Sequence, residues 1–139
     1  MSFGKVKIRR SDMLFSKYLR LKRRHKCEKC ERFFPGGKGL TVSHFHGRRK
    51  ETVRFDEENC DILCIRCHQY FESHKTEYEV WKKERLGDRA FNLLMLRAHA
   101  TGKRDDKLMV MVINKLMKEL EAKRIDERDN TADSTATTS

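Results

Sequence analysis

The stretch Asn59-Cys60-Asp61-Ile62-Leu63-Cys64-Ile65-Arg66-Cys67-His68, set against Cys27-Glu28-Lys29-Cys30 upstream, decides how this chain folds. Cys27/Cys30 and Cys64/Cys67 are two Cys-x-x-Cys knuckles with 33 residues between their inner members. Each knuckle turns the backbone so that both sulfurs face one point. Together they supply four thiolates for a closed tetrahedral zinc site, at about 2.3 Å per Zn–S bond. Redox Cys-x-x-Cys motifs come singly in a thioredoxin-like unit, and an odd cysteine count argues against a disulfide framework. The expectation is one structural Zn²⁺ per chain on Cys27, Cys30, Cys64 and Cys67. Cys60 is left over and reads as a small buried apolar residue.

The rest of the composition fits a small domain that needs such a staple. The chain has 139 residues, 38% of them charged and 37% hydrophobic. A core of that size buries too little surface to be generously stable, and the free energy of metal binding is then folding free energy. No apolar run approaches the ~20 residues that span a bilayer, and no secretory signal core follows Met1. This predicts an intracellular, cytoplasmic protein with no membrane partner. The 32 Lys+Arg against 21 Asp+Glu give a net charge of +11, which suits a polyanion such as DNA. Most of the excess lies before Cys27. The clusters Lys22-Arg23-Arg24 and Arg48-Arg49-Lys50, with Arg54, are the candidate phosphate contacts.

Outward from the knuckles, residues 1–11 read as a basic flexible arm. A short helix begins after Asp12 as N-cap, with Leu14, Phe15, Tyr18 and Leu21 on one face. Phe33 to Gly39 is a Pro/Gly loop, and residues 40–46 alternate as a strand. Thr52-Val53-Arg54-Phe55 is a candidate second strand. A helix runs from near Cys67 to Ser73 or His74. Thr76-x-x-Glu79 is a capping box for the next, which stops at Gly87, and Asp88 caps another that ends before Gly102. Residues 103–125 carry Met109, Ile113, Leu116 and Leu120 at helical spacing. That stripe suits core packing or, alternatively, a homodimer seam. Residues 126–139 are polar and read as a disordered tail.

Zinc ribbons do not require Ser43-His44, Asn59 or His68. A zinc that clamps the knuckles sets the strand carrying His44 beside the helix beginning at His68, so two imidazoles should face one cleft. On a strand, His44 and His46 share one face while Ser43 and Phe45 take the other. A neutral imidazole activates water at physiological pH, and a second holds a divalent metal beside a phosphate.

These residues resemble a known pattern. Val42-Ser43-His44, followed by Asn59 and the Leu63-Cys64-Ile65-Arg66-Cys67-His68 run, is similar to the HNH nuclease motif of the zinc-bearing ββα-metal superfamily. The likeness spans about residues 27–74. A wider one, through Asp12-x-x-Phe15-Ser16-Lys17-Tyr18, Ser43-His44-Phe45, Arg54-Phe55-Asp56 and Leu86-Gly87, is to the NinG/Rap-type phage recombination nucleases. The resemblance implies an α+β fold. A small ββα-metal core with a four-cysteine zinc would be flanked by an N-terminal helix and two or three C-terminal helices, with the nuclease domain over residues 12–102. It also implies a metal-dependent endonuclease acting on branched or duplex DNA, in a host cytoplasm if phage-encoded. His44 matches the general base, Asn59 the residue that fixes the base's loop, and His68 a ligand of catalytic Mg²⁺ or Mn²⁺. The family carries Asp or His before the base, where this chain has Ser43. The remaining metal ligand then falls to His46, Glu72 or His74. The alternative is a zinc-ribbon DNA-binding module without catalysis.

Overall fold

The computed structural model describes residues 7–102 and 105–136. Within them the chain is α+β, with one two-stranded antiparallel sheet and five α-helices. The order is α1 (Arg10–Lys22), β1 (Leu40–His44), β2 (Cys60–Cys64), α2 (Ile65–Ser73), α3 (Lys75–Leu86), α4 (Asp88–His99) and α5 (Asp106–Ala136). Leu40 lies opposite Cys64, Ser43 opposite Asp61 and His44 opposite Cys60. The register therefore puts one cysteine of the second knuckle and the candidate base at opposite ends of a single strand pair.

Helices cover the sheet. α1 and α2 pack on β1, α2 also packs on β2, and α3 packs on α2 and α4. All five β2 residues are buried. Phe15, Leu19, Val42, Ile62, Leu63 and Phe71 anchor the main core, and Val53, Leu94 and Ala98 form a smaller one near Phe45. Ile113 of α5 is 1% exposed, and Met109, Leu116 and Leu120 pack around it, so the α5 stripe closes the core over α1. The Ser11 hydroxyl meets Asp106, and Arg124 donates to the Leu21 carbonyl. The two helices thus run parallel, start beside start, with the end of α1 beside Arg124 of α5. Among the described residues no helix is long and apolar enough to cross a membrane.

Several expectations need correction. Residues 1–6 of the proposed arm lie outside the described residues, but the arm is tied down from Lys7 onward. Arg54 donates to the Lys7 carbonyl at 2.8 Å, and Arg9 pairs with Glu51. α1 starts at Arg10, so Asp12 lies in its first turn and accepts the Arg9 N–H at 2.8 Å. The second strand is not at 52–55. Glu51–Val53 is a 3₁₀ turn, and β1 pairs instead with Cys60–Cys64. β1 ends at His44, short of residue 46, and α4 ends at His99. α3 opens at Lys75 with His74 at its N-cap and no side-chain cap, so Thr76 and Glu79 form no capping box. Gly87 does end α3, at φ 82, a left-handed angle that favours glycine. α5 continues to Ala136 rather than stopping at 125, so most of the expected tail is helical; residues 137–139 lie outside the described residues. Arg124 and an exposed Arg24–Glu127 ion pair at 3.6 Å mark where α5 passes the end of α1, and Asp, Glu, Arg and Ala are compatible with its continuing as a helix.

Candidate functional site

The first knuckle is a small antiparallel turn. Lys26 bridges Phe33, the Cys27 N–H donates to the Arg32 carbonyl at 3.0 Å, and Glu31 takes a left-handed φ of 64. Cys64 ends β2 and is the N-cap of α2, so Cys67 falls in that helix's first turn. The four sulfurs of Cys27, Cys30, Cys64 and Cys67 all lie within 4.8 Å of one another, with Cys30 and Cys64 3.9 Å apart. A tetrahedron with Zn–S bonds of 2.3 Å has edges of about 3.8 Å, so the four fit a metal ion of that kind. Burial opposes ionisation of Cys27, but backbone N–H bonds at the knuckle outweigh it and hold the thiol down to about 7. Burial and the neighbouring sulfurs push Cys67 up, a mutual repulsion that a bound cation relieves. Cys60 stands outside the cluster, 1% exposed, and burial pushes its thiol up as an inert core residue. Glu28, between the knuckle cysteines, accepts from the Ile62 N–H, Arg23 and Arg85. It thereby ties the knuckle to β2, the end of α1 and α3.

Away from the cysteines, a cavity of about 460 Å³ is lined by Ser43, His44, His46, His68, Glu72 and Tyr78, among others. The two imidazoles at 44 and 68 therefore border one space. They reach it from different faces of β1. Thr41 contacts His68 and Ser43 contacts Tyr78, so alternation puts His44 on the other face of the pleat.

Hydrogen-bond accounting fixes which nitrogen of each ring is bare. Thr41 Oγ1 donates its only proton to the Leu63 carbonyl at 2.8 Å, so at 2.7 Å it must accept from His68 Nδ1–H. The neutral His68 ring then carries its lone pair on Nε2, 3.3 Å from Glu72 Oε1. Two acceptors that close can ligate one cation. A donor held through its other nitrogen is also the usual arrangement for a metal-binding histidine. His44 Nε2 lies 3.0 Å from the Arg54 carbonyl, which can only accept, so the lone pair of this ring is on Nδ1. Burial, with Arg48 nearby, holds His44 down to about 4, leaving the ring neutral at physiological pH.

Asn59 is fully buried and clamps the loop after His44. Its carbonyl accepts the His46 N–H at 2.8 Å, and its amide donates to the carbonyls of His46 at 2.9 Å and Val53 at 3.0 Å. Ser43 faces Tyr78 at 2.9 Å, in a buried chain that continues to Asp61 and Lys82. Its hydroxyl is thus committed to the join between sheet and α3. His46 lines the cavity from beyond the strand, its Nε2 buried without a hydrogen-bond partner among the described residues. His74 stacks on Tyr70 and sits away from the cavity lining.

The candidate phosphate contacts divide sharply. Arg54 is 1% exposed and bound to Asp12, so it cannot face a ligand. Arg23 is consumed by Glu28 and the Cys60 and Glu57 carbonyls, and Lys22 pairs with Glu57 at 2.8 Å. Arg48 is half-buried beside Asp12. Arg24, Arg49 and Lys50 stay exposed. Thr41 was missed by sequence reasoning, although its place two residues before Ser43 puts it on the same face as that residue. The Arg54 carbonyl has no side-chain signal at all. Comparison of the chain with protein-family models, with curated proteins and with solved structures finds no match.

Proposed function

We propose that the chain is a metal-dependent DNA endonuclease that hydrolyses phosphodiester bonds by an HNH mechanism, with β1, β2 and α2 as its ββα-metal core. One observation carries this reading. Two imidazoles with committed tautomers line a single cavity, and Asn59 clamps the loop between them. His68 Nε2 and Glu72 are the pair suited to hold Mg²⁺ or Mn²⁺, since donors about 2.1 Å from one ion sit near 3 Å apart. Such an ion, when bound, would supply charge neutralisation at the scissile phosphate. His44 Nδ1 takes the proton of the attacking water. The oxygen then attacks phosphorus in line, the P–O3′ bond breaks, and the departing 3′ oxygen takes a proton from solvent, leaving a 5′ phosphate and a 3′ hydroxyl. The four-cysteine zinc, closed to further ligands, contributes stability rather than chemistry.

Ser43 favours a second reading, a zinc-ribbon DNA-binding module without catalysis, because its hydroxyl is occupied by Tyr78 where the family has a metal-binding side chain. Supercoiled and four-way-junction DNA with Mg²⁺ or Mn²⁺ separates the two. The nuclease reading expects nicking that falls by about 10²-fold or more in His44→Ala, with zinc content and circular dichroism unchanged. DNA binding without cleavage by the wild-type protein selects the module.

A further inference from the structure

Phe33 is 60% exposed, and no described aromatic ring stacks on it. Its neighbour Phe34 turns inward to the core, so the exposure belongs to position 33 alone. The mount beneath it is stiff. The Phe34 N–H donates to the His25 carbonyl at 2.8 Å, and the Cys27 N–H donates to Arg32. These bonds make Lys26 and Phe33 a non-hydrogen-bonded antiparallel pair, the geometry that brings opposite side chains closest. Beyond it, Gly36, Gly37 and Gly39 all take left-handed φ. A Cβ at Gly37 would meet the His25 ring at 3.1 Å, so the loop is folded tightly against the end of α1.

Lys26 stands directly across the bridge from the ring, and Arg32 and Lys38 are further cations of the same knuckle and loop. Lys26, Arg32 and Lys38 are exposed, with no acidic partner among the described residues. The guanidinium of Arg32 lies 5.6 Å from the Phe34 ring, and Arg20 reaches the same loop at the Gly37 carbonyl. Glu28 and Glu31 are the two acids between Lys26 and Lys38, and Glu28 is already paired with Arg23 and Arg85. This contrasts with Lys22, Arg23 and Arg54, whose charges the fold itself uses. A lone rigid aromatic among unpaired cations fits a nucleobase with its flanking phosphates. A protein partner would call for a contiguous apolar patch.

We propose that Phe33, with Lys26, Arg32 and Lys38, is a stacking platform for an unpaired base of a nucleic acid. The proposal rests on the nucleic-acid reading above but concerns a different place. The platform lies beyond the Leu40 end of β1, and His44 lies at the other end, about 13 Å along the strand. It would engage the substrate away from the bond being cut and favour DNA whose bases are already unstacked, because an intact duplex offers no free ring face.

The test is fluorescence-anisotropy binding of the zinc-loaded full chain, without added Mg²⁺ or Mn²⁺. The probes are a labelled single-stranded oligonucleotide and a fully paired duplex of the same sequence. Phe33→Ala should weaken single-strand binding by about 5- to 100-fold and leave duplex binding within about two-fold, while Phe33→Trp retains it. Equal affinity of wild type and Phe33→Ala for the single strand, or equal loss on both probes, overturns the platform while DNA binding itself stands. A change in sedimentation by Phe33→Ala with DNA binding intact assigns the residue to protein contact and also overturns it. A wild-type protein that binds neither probe sinks both this proposal and the nuclease reading.

Discussion

At position 54, an arginine that sequence assigns to the DNA surface is shut inside the molecule with Asp12 as its main partner. A charge count treats every arginine as solvated, and nothing local announces an acid 42 positions away. Burial opposes ionisation of Asp12, but hydrogen bonds from Arg54 and the Arg9 N–H prevail and hold its carboxyl below the usual 3.8. A carboxylate with a lowered folded pKa adds stability that is present above its unfolded value and lost as pH falls through the folded one. Asp12→Asn should therefore cost about 3–5 kcal/mol at neutral pH by stranding a buried guanidinium, and the gap to wild type should narrow below pH 3.8. Urea titrations at neutral and acidic pH measure both. That positions 44 and 68 border one space was easier to read, because spacing from the knuckles constrains both. Their tautomers were not, since these depend on a threonine hydroxyl and a backbone carbonyl.

Among the elements, the knuckles and α2 to α4 were legible from cysteine spacing, Gly87 and the apolar periodicity. β2 was not. A strand buried at every position has no alternation to display, and Asp61 in its middle reads as a surface residue unless Lys82 and Tyr78 are seen to satisfy it. The residues at 52–55 look more strand-like by composition, yet they turn back on themselves so that Val53 can fill the smaller core. The knuckles join β2, α2 and, through Glu28, α3, so metal loss should not stay local. Structural zinc sites contribute about 10–16 kcal/mol in small peptides, as much as the whole stability of a typical domain. Cys64→Ser, or chelation of the wild type, should abolish cooperative unfolding. Metal analysis together with far-ultraviolet circular dichroism checks this, and a zinc-loaded, folded Cys64→Ser protein would contradict it.

Across the whole molecule, α5 was recognised by its stripe but cut short, because the apolar stripe gives out after residue 125 while the helix continues to Ala136. Ile113→Ala should destabilise the fold by about 2–5 kcal/mol in urea without altering zinc stoichiometry, since the gap opens between helices and not at the knuckles. The parallel pairing of α1 with α5 also sets a timetable for the newborn chain. Ser11 meets Asp106 across 95 positions, and Leu21 meets Arg124 across 103. At ribosomal speeds of about 5–20 residues per second, the side of the first helix that α5 covers stays bare for on the order of ten seconds. During that wait, chaperones and other half-made chains compete for it, so yield in the cell should depend on how fast translation delivers the covering helix.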